Sequence, residues 1–210
     1  MKKFAPITCA TLGRNRWISS CAETFRSEDG AKLGLFSRHA GARGLREGGA
    51  ELWLDPTYVV LPSTMMFRSR FVPEHHFDTR LPFTADWLFS IEVFRRGRCL
   101  VLDDVYVDYR RHGAQMTVDS ATRGFEEGLM VMALVDARYP ELASLTRMMR
   151  TALLYGEARR SARSGDHARA MEYARSAARS SGIAGHVRLA QRMAAARWGR
   201  PTRRMAGGGV

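Results

Sequence analysis

Apolar positions recur at helical spacing in one short window of this chain. Trp87, Leu88, Ile91 and Phe94 fall on one face, the recurrence expected of a helix laid against a core. Thr84 stands where an N-cap residue is favoured. Arg95 and Arg96 suit the C-terminal end of the helix dipole, and Gly97 offers a left-handed stop. On the N-terminal side the apolar runs are shorter. Residues 58–61 and 64–67 read as strands, and a polar stretch over 73–80 separates them from the helix. On the C-terminal side, 99–102 and 105–109 read as two strands joined by a turn at Asp103-Asp104.

From about Thr122 the pattern turns helical. Helices are predicted over 125–137, 142–163, 166–179 and 185–198, with Pro140 closing the first. Ser164-Gly165 followed by Asp166 sets a stop and a cap in succession. Ala168, Ala170, Ala174 and Ala177 permit close helix packing. The arrangement is that of a single helical hairpin, without the three copies a solenoid requires. Residues 1–50 lack such order. Gly30, Gly34, Gly41, Gly44, Gly48 and Gly49 interrupt short apolar pieces; only 31–39 reads as helix, and 43–49 reads as loop. The chain thus divides into a poorly organised segment 1–50, a core portion 51–120, a helical extension 121–199, and a tail 200–210 that is basic, then glycine-rich, and expected to be disordered.

The length of 210 residues allows one modest domain, or a small domain with a helical annex. No apolar run approaches the roughly 20 residues that span a bilayer. The opening Met1-Lys2-Lys3 is basic, but Pro6 cuts the apolar stretch behind it too short for a secretory signal. Three cysteines, Cys9, Cys21 and Cys99, are too widely spaced for a disulfide framework or structural zinc. A reducing cytoplasm is the expected compartment. The net charge of +12 comes almost wholly from arginine, lysine occurring only at positions 2, 3 and 32. Such a chain has anionic partners open to it: nucleic acid, an acidic membrane face or a phosphorylated ligand. Nucleic acid is disfavoured by the lack of a helix-turn-helix, zinc-finger or RNA-binding signature.

Five landmarks fall in order through the core portion: Leu61-Pro-Ser-Thr-Met-Met-Phe-Arg68, Phe77-Asp78, Thr84-Ala-Asp86-Trp87, Leu102-Asp-Asp-Val105, and Tyr109-Arg-Arg-His112. Together, over residues 50–120, they resemble the second half of inverting family-two glycosyltransferases of the A-type fold. The resemblance implies an α/β fold, an α+β remnant of that A-type architecture, carrying a mostly α-helical C-terminal extension. It implies that Asp86 is the general base toward an acceptor hydroxyl, work that needs an ionised carboxylate aimed into a cleft. A position in the first turn, where the dipole favours the anion, suits that role. It places Arg110 and His112 near the donor pyrophosphate or its metal, where arginine's planar fork grips phosphate oxygens. Thr84 and Trp87 become acceptor-cleft residues; Arg68 and Asp78 match the family pattern but read as structural. His75-His76, adjacent on a polar loop, are unsuited to share one ion, and Asp103-Asp104 matches a turn rather than a metal-binding Asp-x-Asp.

By the same resemblance, the partners are a nucleotide-sugar donor and a glycan or lipid-linked acceptor, in building a bacterial cell-envelope polysaccharide. A divalent metal, Mg or Mn, is expected in the complete enzyme. The chain departs from the pattern at its start. Asp29 is the only aspartate before Asp55, so no Asp-x-Asp precedes the core portion. A parallel nucleotide-binding sheet needs crossovers of about 30 residues each, which 50 residues cannot hold. The expectation is a fragment lacking its donor half, completed by a longer product or a partner subunit, cytoplasmic or peripheral at the inner membrane face. The alternatives are a basic, non-catalytic binding module acting through the arginine-rich helices, or a degenerate interaction fragment.

Overall fold

The computed structural model describes residues 16–26, 29, 32–36, 46–56, 62, 65–74, 77–110, 112 and 121–198. The strands are β1 (Arg16–Arg26), β2 (Lys32–Phe36), β3 (Arg46–Gly48), β4 (Met65–Met66) and β5 (Arg98–Arg110). The helices are α1 (Ala85–Arg95), α2 (Ala121–Arg138), α3 (Ala143–Arg163) and α4 (His167–Trp198). From Ala121 to Trp198 the described residues are mostly helical, as the 3.6-residue periodicity predicts.

β1 and β5 run parallel through most of their length. The opposite edge of β1 pairs antiparallel with β4 at Ile18 and Ser19 and with β2 from Glu23 to Arg26. β3 pairs with the start of β5 at Cys99–Val101. β1, β2 and β3 therefore belong to the same sheet as β5. The helix expected over 31–39 is replaced by β2: Leu33 and Leu35 alternate with Lys32 and Gly34, and pairing with β1 decides the matter. The loop expected over 43–49 contains β3.

The turn expected at Asp103-Asp104 does not form; β5 runs through it without a break. Ser20 pairs with Leu102 and Ala22 with Val105, so Asp103 and Asp104 together face one residue of β1. Turn-forming residues here make a bulge, absorbing the disruption while the strand continues. The strand expected over 64–67 is confined to Met65–Met66. The strand expected over 58–61, the tail at 200–210, Cys9 and His75-His76 lie outside the described residues.

α1 starts directly after Thr84. Every residue from Leu88 to Phe94 is buried, so α1 is enclosed on nearly all sides and the single apolar face understated its burial. Trp53 and Leu54 cover it on one side and Val131, Met132 and Val135 of α2 on another. The Trp53 and Phe94 rings stack with centroids 5.4 Å apart. The helix ends through Arg96, in right-handed conformation with its N–H bonded to the Val93 carbonyl. Gly97 is not the left-handed stop; the described positive-φ glycines are Gly165 and Gly182.

The C-terminal helices follow the punctuation closely. Gly165, at φ 84°, closes α3. The Asp166 N–H bonds to the Ser161 carbonyl and the Gly165 N–H to that of Ala162, the paired bonds of a Schellman stop. Asp166 then accepts from the Arg169 N–H at 3.0 Å, capping α4. Gly182, at φ 57° and ψ 178°, breaks α4 into two helical parts between the expected helices 166–179 and 185–198. Ala170 and Ala177 are buried between α3 and α4, and Thr151 and Ser180 hydroxyls meet there at 2.8 Å. Among the described residues no helix is long and apolar enough to cross a membrane.

Candidate functional site

Thr84, Asp86 and Trp87 converge at the start of α1, and what anchors them is a carboxylate from another helix. Glu127 of α2 is buried, and its Oε2 accepts from the Phe83 N–H at 2.8 Å, the Thr84 N–H at 2.9 Å and the Thr84 hydroxyl at 3.3 Å. Thr84 occupies the N-cap position, but its hydroxyl makes no bond to its own helix. Glu127 satisfies backbone donors at a helix start where a positive dipole end also favours its charge.

Close approach of the two helices depends on small residues in α2. A Cβ built on Gly124 would lie 2.6 Å from Phe83 Cε1, and one on Gly128 3.2 Å from Trp87 Cζ3. The Gly124/Gly128 surface is flat because the rings of Phe83 and Trp87 rest on it. Trp87 also donates its indole N–H to the Trp53 carbonyl at 3.0 Å. Thr84 and Trp87, read from the sequence as acceptor-cleft residues, thus spend their polar groups on Glu127 and Trp53.

Asp86 differs from its neighbours. Its carboxyl is half-buried, and burial pushes its pKa up, against the opposing pull of the backbone N–H groups of Trp87 and Asp86 itself. The dipole at the helix start favours the anion, but loss of water outweighs it. The Asp86 carbonyl accepts from the Ser90 hydroxyl at 2.5 Å, which fixes the first turn.

Arg110 and His112 come from a different element. Arg110 is the last residue of β5, paired in register with Arg26 of β1. A strand of this length extends about 40 Å, which carries Arg110 to the far end of β5 from the Gly97 turn. His112 follows, half-buried. Among the described residues no hydrogen bond joins His112 to Asp86.

Asp78, read from the sequence as structural, is engaged by its neighbour Arg80. It holds Arg80 by bonds of 2.9 and 2.7 Å, and the Arg80 guanidinium lowers its pKa to about 2. Its carbonyl accepts from the Leu81 N–H, turning the chain toward α1. Among the described residues, no three His, Cys, Asp or Glu side chains gather as a metal site needs.

Periodicity alone missed Glu127. The signal was an acid flanked by glycines, Gly124-Phe-Glu-Glu-Gly128, inside an otherwise apolar helical window. Comparison of the chain with protein-family models, with curated proteins and with solved structures finds no match.

Proposed function

We propose that this chain is the acceptor-side portion of an inverting sugar-nucleotide transferase of A-type architecture, with Asp86 as its general base. The observation that carries the reading is the half-buried Asp86 carboxyl in the first turn of α1, its pKa raised by burial. A base is most effective when its pKa moves from the ordinary carboxylate range toward the working pH. Asp86 would take the proton from an acceptor hydroxyl as that oxygen attacks the anomeric carbon. The bond to the nucleoside diphosphate breaks in the same displacement, which inverts the configuration. Arg110 and His112 would bear on the charge gathering on the leaving diphosphate.

The test is sugar transfer by the native polypeptide, or by its complex with whatever supplies the donor site, from a panel of nucleotide sugars. Asp86→Asn should lower the rate by about 100-fold or more while the protein remains folded. Equal rates in the variant, or no transfer from any donor, would remove the assignment.

A second reading has its own observation. Arg147, Arg159, Arg163 and Arg175 are exposed on α3 and α4, and no ion pair holds them among the described residues. They favour contact between this hairpin and an anionic membrane face.

A further inference from the structure

A cavity of about 270 Å³ opens beside α1, with Phe77, Asp78, Leu88, Phe89, Glu92 and Arg138 in its lining and Asp86 outside it. Its floor is apolar, formed by the buried side chains of Leu88 and Phe89. Phe77 is 58% exposed, yet its ring is held 4.9 Å from the ring of Phe89, tilted by 33°. An exposed aromatic face fixed from behind is a platform and not a loose side chain.

The polar wall is charged but balanced. Asp78 is matched by Arg80, and Glu92 by Arg138. A ligand carrying net charge would meet no surplus of opposite sign. What the wall does have is unused hydrogen-bonding capacity. Glu92 is only 8% exposed, and both Arg138 and the Tyr139 hydroxyl bond to its Oε1. Its Oε2 accepts nothing among the described residues. Arg138 uses Nη1 on Glu92, and among the described residues its other N–H groups meet no acceptor.

An open acceptor, adjacent open donors and an apolar ring face make a combined requirement. The ligand must be neutral, must offer neighbouring groups that both donate and accept, and must have an apolar C–H face. A pyranose ring meets it: one hydroxyl donates to Glu92 Oε2, its neighbour accepts from Arg138, and the C–H face lies on Phe77. The volume falls just below the range of drug-sized pockets, about 300–1,000 Å³, which suits one ring and excludes an extended chain.

We propose that this cavity binds a single neutral sugar ring of a glycan, separately from any chemistry at Asp86. The test is saturation-transfer NMR on the full chain, with methyl β-glucopyranoside, methyl α-mannopyranoside, N-acetylglucosamine and adenosine as probes at millimolar concentration. Saturation should reach the ring C–H protons of at least one sugar and should persist in high salt, since no net charge is recognised. Phe77→Ala should abolish it with little change in melting temperature, because that ring is mostly exposed. Arg138→Lys, which keeps the charge partner of Glu92 but loses the fork, should weaken binding about tenfold. No transfer to any sugar, transfer that survives Phe77→Ala, or transfer to adenosine alone would overturn the proposal. Because the readout is binding rather than turnover, the result stands apart from the Asp86 assignment.

Discussion

Two aspartates eight residues apart show how the same side chain is set in opposite directions by its surroundings. Asp78 lies beside Arg80, whose hydrogen bonds bring its pKa to about 2, so its stabilising contribution is present above the ordinary value of 3.8 and is lost as pH falls toward 2. Among the described residues no cation pairs with Asp86, and burial raises its pKa. A raised carboxyl favours the fold below the ordinary value of 3.8, and that advantage disappears as pH rises through the folded-state pKa. Asp86→Asn removes the ionisation and the pH slope with it. The variant should therefore gain stability relative to the parent as pH rises from about 4 to about 7, read as a widening difference in melting temperature. A constant difference would mean that Asp86 is as well solvated folded as unfolded.

At the scale of elements, the junction of α1 and α2 is the point on which the candidate site depends. Glu127 supplies one oxygen to three donors at the start of α1, and Gly124 and Gly128 leave room for Phe83 and Trp87. Glu127→Ala strands two backbone N–H groups and a hydroxyl in a partly dry place. It should cost about 2–3 kcal/mol in denaturant unfolding, since each unpaired buried donor carries a desolvation penalty; a loss within experimental scatter would show that water replaces the carboxylate freely. This contact also marks where sequence reading stops. Local signals were legible: the Thr84 start of α1, the Gly165 stop, the Asp166 cap and the break near Gly182 are each written within a few residues. Glu127 and Phe83 are separated by 44 residues, and no local period encodes that pairing. β2 was misread for the same reason, because its strand state comes from β1 and a five-residue segment with two leucines fits either period. The Asp103-Asp104 pair reads as a turn and forms a bulge instead, since only the partner strand decides between a turn and an extra residue. Of the site, the residues at the start of α1 could be named from their motif, while Glu127, Glu92 and Arg138 needed the fold to bring them into place.

Across the whole molecule the charge is unevenly placed. Residues 143–198 hold eleven arginines against three acidic residues. Some of these arginines are committed: Arg150 to Asp136 and Arg160 to Glu157. Arg175 and Arg179 are exposed on α4, near Met171, itself 54% exposed. Basic side chains close to an anionic lipid surface contribute about 1 kcal/mol each, so the proposed attachment through this hairpin would be weak and reversible. At such a surface the arginines would act as charges, and exposed methionine and valine (Val187 is 49% exposed) would add modest apolar contact. Screening sets the sign of the salt effect, because the Debye length shrinks from about 10 Å at 0.1 M to about 3 Å at 1 M. The chain should co-sediment with phosphatidylglycerol vesicles in low salt, should be released as salt rises, and should ignore phosphatidylcholine vesicles. Reversing Arg175 and Arg179 to glutamate should weaken sedimentation by at least about tenfold, two lost attractions and two new repulsions acting together. Sedimentation unchanged by both salt and charge reversal would place any lipid contact on a different surface and leave the arginine hairpin as solvated helix.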